Sequence, residues 1–180
     1  MSILLHSEIQ HYHDKAVIVI DPFVKLHLGP NSYDVCLGDT IKVYDIEPGA
    51  VLDPKIKNKT NTLLVPPTGL TLFPNVLYLG HTVEIIGSDH FVPMYEGRSS
   101  MARLGIGSHI SAGFGDVGFI GQLTLEITVV HPVVVYPGMR IGQVYFHQIN
   151  AIENFPKNRY YGKYTTQTNG PQESLAYLDT

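Results

Sequence analysis

Short stretches of alternating or β-branched hydrophobic residues, each cut off by Gly, Pro or Asn, run along almost the whole chain. Val, Ile, Thr, Tyr and Phe dominate them, the composition of strands joined by tight turns. The pattern predicts strands over 17–20, 32–37, 41–44, 62–65, 70–73, 76–82, 91–96, 108–111, 122–130, 133–136 and 141–149. Helix is confined to 7–14 and 99–104, the second closed by Gly105 as its C′ residue. The chain therefore reads as one mainly β domain spanning 1–180.

The segment Gln122-Leu123-Thr124-Leu125-Glu126-Ile127-Thr128-Val129 is the most informative. Period-two alternation sends Leu123, Leu125, Ile127 and Val129 to one face, toward a core, and Gln122, Thr124, Glu126 and Thr128 to the other. That second face carries one carboxylate among uncharged polar side chains. A solvated polar face is the commoner reading of such a pattern; with no alternating salt-bridge partners, this one also suits a half-buried pocket in which a carboxylate shuttles protons.

Composition narrows the class. Only 16% of residues are charged and the net charge is −4, which argues against broad attraction to nucleic acid or anionic membrane. Few charges and 11 Tyr hint at surface covered by partner subunits. The single cysteine, Cys36, leaves no disulfide framework or cysteine-cluster metal site. With no basic flank or long apolar run near the N-terminus, a soluble cytoplasmic protein is expected. Nine histidines raise a metal reading, including a His-metal β-barrel. His11 and His13, however, stand two apart on a predicted helix and do not share a face. His6-Ser7-Glu8 echoes the His-x-Glu of zinc deaminases without the Pro-Cys-x-x-Cys half.

Two further segments carry candidate chemistry. Gly97-Arg98-Ser99-Ser100-Met101-Ala102-Arg103 offers main-chain N–H groups, hydroxyls and two guanidiniums to an anion, or a plain helix N-cap. The Gly-rich run Ala112–Gly121 feeds into the Glu126 strand and brings Asp116 and Phe119 near it; a bulged turn is the simpler account. Beyond Phe155 the chain turns polar and Tyr-rich, either a frayed end or a flap over a ligand spanning 156–180.

Taken in order, these residues resemble the dCTP deaminase branch of the deaminase and trimeric dUTPase superfamily. The carriers are Asn31-Ser32-Tyr33-Asp34-Val35-Cys36-Leu37-Gly38, residues 97–106, residues 112–127 and Pro137-Gly138-Met139-Arg140-Ile141-Gly142-Gln143. The tail segment Gly162-Lys163-Tyr164-Thr165-Thr166-Gln167 and Gly170-Pro171 complete them.

The resemblance implies a distorted β-barrel or jelly-roll-like subunit of dUTPase type, with short helices, assembled as a homotrimer with active sites at its interfaces. It makes Glu126 the general base, with water near Ser99 and the main chain of Ala112, and Arg103 reaching in from a neighbouring subunit. Arg98, Ser99, Ser100, Gln143, Lys163 and Gln167 would bind phosphates, with Tyr160 rather than Tyr161 joining from the tail. Asp116, Phe119, Thr124 and Leu125 complete the substrate-binding set, Phe119 lying against C2′ of the deoxyribose. Mg²⁺ would ride on the triphosphate, with no zinc and no protein cage for a metal.

The implied reaction is dCTP to dUTP and ammonia, with dTTP as an inhibitor. The alternative is a bifunctional enzyme that carries dUTP on to dUMP and diphosphate. Gly113-Phe114 favours the latter, because deaminase-only members often carry a basic residue at the position of Phe114; Asp116 would then position a second water. Gly115 stands where the family usually has Ile or Val, and positive φ there would redirect Asp116. The non-enzyme alternative is a nucleotide-binding regulatory trimer.

Overall fold

A computed structural model of the chain describes residues 2–47, 49–111, 113–149, 160, 162–165 and 167–179. It opens with helix α1 (His6–Asp14), where Glu8 Oε2 accepts the Leu5 N–H at 2.8 Å. The His-x-Glu echo is thus a helix cap, with the carboxylate spent on an orphan donor of the first turn. His13 stacks on Phe23, ring centroids 4.2 Å apart.

The strands that follow are β1 (Ile18–Asp21), β2 (Tyr33–Cys36), β3 (Thr40–Tyr44), β4 (Thr60–Leu64), β5 (Leu70–Leu72), β6 (Tyr78–Ser88) and β7 (Phe91–Gly97). After helix α2 (Ser99–Ala102) come β8 (Ile106–Gly107), β9 (Ile120–Val129), β10 (Val133–Val135) and β11 (Arg140–Gln148). The largest sheet runs β4-β3-β6-β9-β8 with β1 also on β6; β2-β11-β7 forms a second sheet, and β10-β5 a pair. All pairings are antiparallel. Leu125, Ile127, Ile86, Ile41, Tyr33 and Phe146 fill the core between the sheets.

Two differences from the sequence reading have clear causes. β6 runs on to Ser88 through Glu84, a charge that interrupts the hydrophobic pattern of the sequence but is buried at 2% exposure, where it accepts the Cys36 N–H. The expected strand at 108–111 is a loop; only Ile106 and Gly107 pair with β9. The main-chain N–H groups of Ile110 and Ser111 are bonded instead to a side chain, described below. α2 ends earlier than expected, with Arg103 as its C-cap, so Gly105 stands one residue beyond the C′ position; its φ is 75° and its N–H donates to Ala102 O at 2.9 Å.

Candidate active site

β9 places Gln122, Thr124 and Glu126 along one wall of a cavity of about 590 Å³. On the opposite face Leu125, Ile127 and Val129 are buried in the core, as the alternation requires. Leu123 departs from it: half-buried, it also lines the cavity. The cause is a register shift in β6 between His81 and Ile85, where Thr82 Oγ1 accepts the Leu123 N–H at 2.9 Å in place of a ladder carbonyl.

Glu126 is aimed by the main chain. Its Oε2 accepts the Ile110 N–H at 2.7 Å and the Ser111 N–H at 2.9 Å. Both bonds fall on one oxygen, so the carboxylate is oriented while Oε1 has no bonded partner among the described residues. Ala112, the next residue, lies outside the described residues. His109 lines the same wall, its ring edge-on to Tyr95 at 5.7 Å, with Nε2 3.6 Å from Glu96 Oε2. Burial pushes the Tyr95 hydroxyl up to about 12, so it stays protonated and donates to Ser108 Oγ at 2.8 Å.

The Gly-rich loop forms the second wall. Tyr95 N–H donates to Gly113 O at 2.6 Å and Gly115 N–H to Pro93 O at 2.8 Å, fixing Phe114 opposite Met94. These glycines answer a need for closeness: a Cβ on Gly113 would sit 1.8 Å from Tyr95 O, and one on Gly115 2.7 Å from Pro93 Cγ. Gly115 is not among the positive-φ glycines, so the redirection of Asp116 that a left-handed residue there would bring does not occur. Asp116 and Phe119 both line the cavity, and Phe119 meets Tyr160 edge-on at 5.7 Å.

The tail supplies the third wall. Gln167 Nε2 donates to Thr124 Oγ1 at 2.7 Å, and Gln167 O accepts the Gln122 N–H at 2.7 Å. Lys42 Nζ meets Glu173 Oε2 at 2.5 Å, and the Ser174 N–H donates to Tyr44 Oη at 3.1 Å. Burial acts to raise the Glu173 carboxyl, but Lys42, its own main-chain N–H and Lys57 outweigh it and hold it low. The tail from Gly162 to Asp179 is therefore docked along β9 and β3 wherever it is described; Tyr161 lies outside the described residues. Lys163 is turned away from the cavity and pairs with Asp179.

Glu126, Asp116, Phe119, Thr124, Tyr160 and Gln167 thus converge, while Arg98, Ser99, Ser100, Arg103 and Gln143 do not line this cavity. Arg98 and Arg140 both grip Asp34 Oδ2, at 3.2 and 3.1 Å, and Gln143 Oε1 accepts the Ser32 hydroxyl at 3.3 Å. Ser99, Ser100 and Arg103 are exposed on and after α2, which begins without a side-chain cap bond. The plain N-cap reading of the two serines is thereby set aside. Leu125, 1% exposed, is sealed in the core, so any contact it makes with a ligand runs through its main chain. Sequence reasoning missed Tyr44, Leu79, His109 and Gln172 as lining residues. Their strands and loops carry no local signal of facing Glu126.

Residues 3–149 match the model of the dCTP deaminase-like family. A "dCTP deaminase, dUMP-forming" of Clostridium acetobutylicum is 45% identical over 163 residues, covering 90% of each chain. The protein of that name from Cytophaga hutchinsonii is 47% identical over 163 residues, again 90% of each. That of Hathewaya histolytica is 44% identical over 178 residues and 98% of each. The crystal structure of 2'-deoxycytidine 5'-triphosphate deaminase from Agrobacterium tumefaciens superposes with a TM-score of 0.65 at 20% identity, covering 84% of this chain and 50% of that one. That likeness establishes the shared fold.

Proposed function

The chain belongs to the dCTP deaminase-like family, and from that premise we propose that it converts dCTP to dUMP, ammonia and diphosphate, at sites completed between the subunits of a homotrimer. The observation that carries the reading is Glu126, held by two main-chain N–H groups in a cavity that also holds Asp116. In the first step Glu126 takes a proton from water, and the resulting hydroxide bonds to C4 of the cytosine ring. The proton passes to N3; Glu126 then carries the proton of the new C4 hydroxyl to the amino group, the C4–N bond breaks as the C4 carbonyl forms, and ammonia departs, leaving dUTP. In the second, water positioned by Asp116 attacks the α-phosphorus, the bond to the bridging oxygen of the β-phosphate breaks, and diphosphate leaves.

The relatives' name, dUMP-forming, favours this two-step reading over release of dUTP, as do Gly113 and Phe114 beside Asp116. Phe119, against the sugar, would exclude a 2′-hydroxyl, and Thr124 and Gln167 would meet the nucleoside or its phosphates. Arg98, Ser99, Ser100, Gln143 and Lys163 are the phosphate ligands of the proposal. Arg103 of a neighbouring protomer would stabilise the charge that develops on attack. Since none of these five, nor Arg103, lines the cavity of its own chain, a partner copy is the natural source of the missing cations. Mg²⁺ would arrive with the triphosphate, and dTTP would compete for the same site.

Incubation with dCTP and Mg²⁺, with nucleotides resolved and ammonia measured, tests the reading. Equal amounts of dUMP, diphosphate and ammonia are expected. Accumulating dUTP would remove the second step, and nucleotide binding without ammonia would leave a regulatory binder. Glu126→Gln is expected to cut ammonia release by about 10²–10⁴-fold with dCTP still bound. Asp116→Asn should leave deamination in place and make dUTP the product.

A further inference from the structure

Away from the cavity, three side chains that the reaction does not use converge from three separate segments. His27 ends a 3₁₀ turn (Lys25–His27), Cys36 ends β2, and Glu84 sits in the middle of β6. His27 Nδ1 lies 3.9 Å from Cys36 Sγ and 4.0 Å from Glu84 Oε1, and all the ligand atoms fall within 4.8 Å of one another. Cys36 and Glu84 are buried, at 7% and 2% exposure, while the His27 side chain keeps 19%. None of the three lines the cavity around Glu126.

We propose that His27, Cys36 and Glu84 bind one divalent cation of the zinc class, which ties the 3₁₀ turn, β2 and β6 together apart from the reacting pocket. Thiolate, imidazole and carboxylate are the donor set zinc selects, and three protein ligands leave the fourth position to water. At zinc bond lengths, tetrahedral sulfur and nitrogen ligands stand about 3.5 Å apart, so the observed 3.9 Å closes with shifts of a few tenths of an ångström. The carboxylate is already oriented: the Cys36 N–H donates to Glu84 Oε2 at 2.9 Å, which turns Oε1 toward His27. Partial exposure of His27 gives the ion a way in.

Burial, aided by Glu84, pushes the Cys36 thiol up to about 12, and burial raises the Glu84 carboxyl as well. Asp34 on β2 adds to this pressure on the thiol, and Arg140 of β11 opposes it. A thiol must give up its proton to become a metal ligand, so binding should release protons and strengthen as pH rises.

The test is titration of chelator-stripped, reduced protein with Co²⁺ and then Zn²⁺. A thiolate-to-cobalt band in the near ultraviolet, saturating at one equivalent per chain and bleached by Zn²⁺, is expected. The band should vanish in Cys36→Ser. His27→Gln, a change at the half-exposed edge, should weaken affinity by more than the ~10–100-fold that losing an outer partner costs. With Zn²⁺ at a hundred times Kd, the Tm should rise by about 5–10 °C in the parent and not in Cys36→Ser. No band at one equivalent in folded parent protein, or one that persists unchanged in folded His27→Gln, would reduce the cluster to a hydrogen-bonded thiol and carboxyl. The His27 variant keeps the test decisive if Cys36→Ser does not fold.

Discussion

A carboxylate does useful acid–base work only if its lone pairs point where the proton travels, and at Glu126 two main-chain donors do the pointing. The neighbouring glycines are part of the same arrangement. Gly113→Ala would force a methyl group within 1.8 Å of Tyr95 O, so the loop must leave β7 and carry Asp116 with it. We expect destabilisation of about 1–3 kcal/mol in urea melts, with activity lost in the folded fraction as well. His81 shows the residue scale from the side of pH. Burial lowers its pKa, although Thr82 O and Asp39 pull the other way, and it is neutral while bonded to Thr82 O and Thr40 Oγ1. As pH falls below 6.5 the unfolded chain takes the proton first, so stability drops between there and the lower folded value. The slope from one such group stays below about 1.4 kcal/mol per pH unit. It should be present in the parent and absent from His81→Gln, so that the stability difference between the two shrinks from pH 6.5 to 5.5 in denaturation measurements.

At the scale of elements, the tail is the segment whose place was most open in the sequence. Its polar residues find partners on β9 and β3 rather than among themselves: Gln167 on Thr124, Glu173 on Lys42. Glu173→Gln leaves Lys42 beside a neutral amide and should loosen the tail by about 1–2 kcal/mol, raising KM for dCTP roughly 5- to 30-fold. Removal of everything after Phe155 should weaken nucleotide binding further, with the assembly measured by light scattering unchanged. Equal affinity in the truncated chain would detach the tail from ligand binding. The two faces of β9 were legible from its alternation, Leu123 apart, but the 108–111 segment was not. Ile110 between short polar neighbours suits a strand, and only the presence of Glu126 opposite turns the N–H groups of Ile110 and Ser111 from a ladder to a side chain.

For the whole molecule, the division of the site residues into two groups is the central fact. The cavity group sits on β9, the Gly-rich loop and the tail; the Arg and Ser group sits on α2 and the β2-β11-β7 sheet. If a neighbouring protomer joins them, Glu126→Gln and Arg103→Ala homotrimers should each be inactive, while trimers refolded from an equal mixture recover about a quarter of parental activity, the fraction of interfaces pairing the two intact residues. No recovery on mixing would confine the site to one chain. Exposed Ile110, Phe114 and Val130, at 66%, 59% and 76%, offer apolar surface for such contacts.

Local pattern alone specified the mainly β class, the two faces of β9 and the ordered motifs of the family, because side-chain alternation and turn chemistry act over a few residues. Convergence was decided in three dimensions. Which main-chain groups meet Glu126, why Gly115 must be small, and how His27 and Cys36 come to flank a buried Glu84 all depend on long-range strand register and on which surfaces close over which. A side chain's neighbours across a sheet are set by pairing far away in the chain, and no period in the sequence records them.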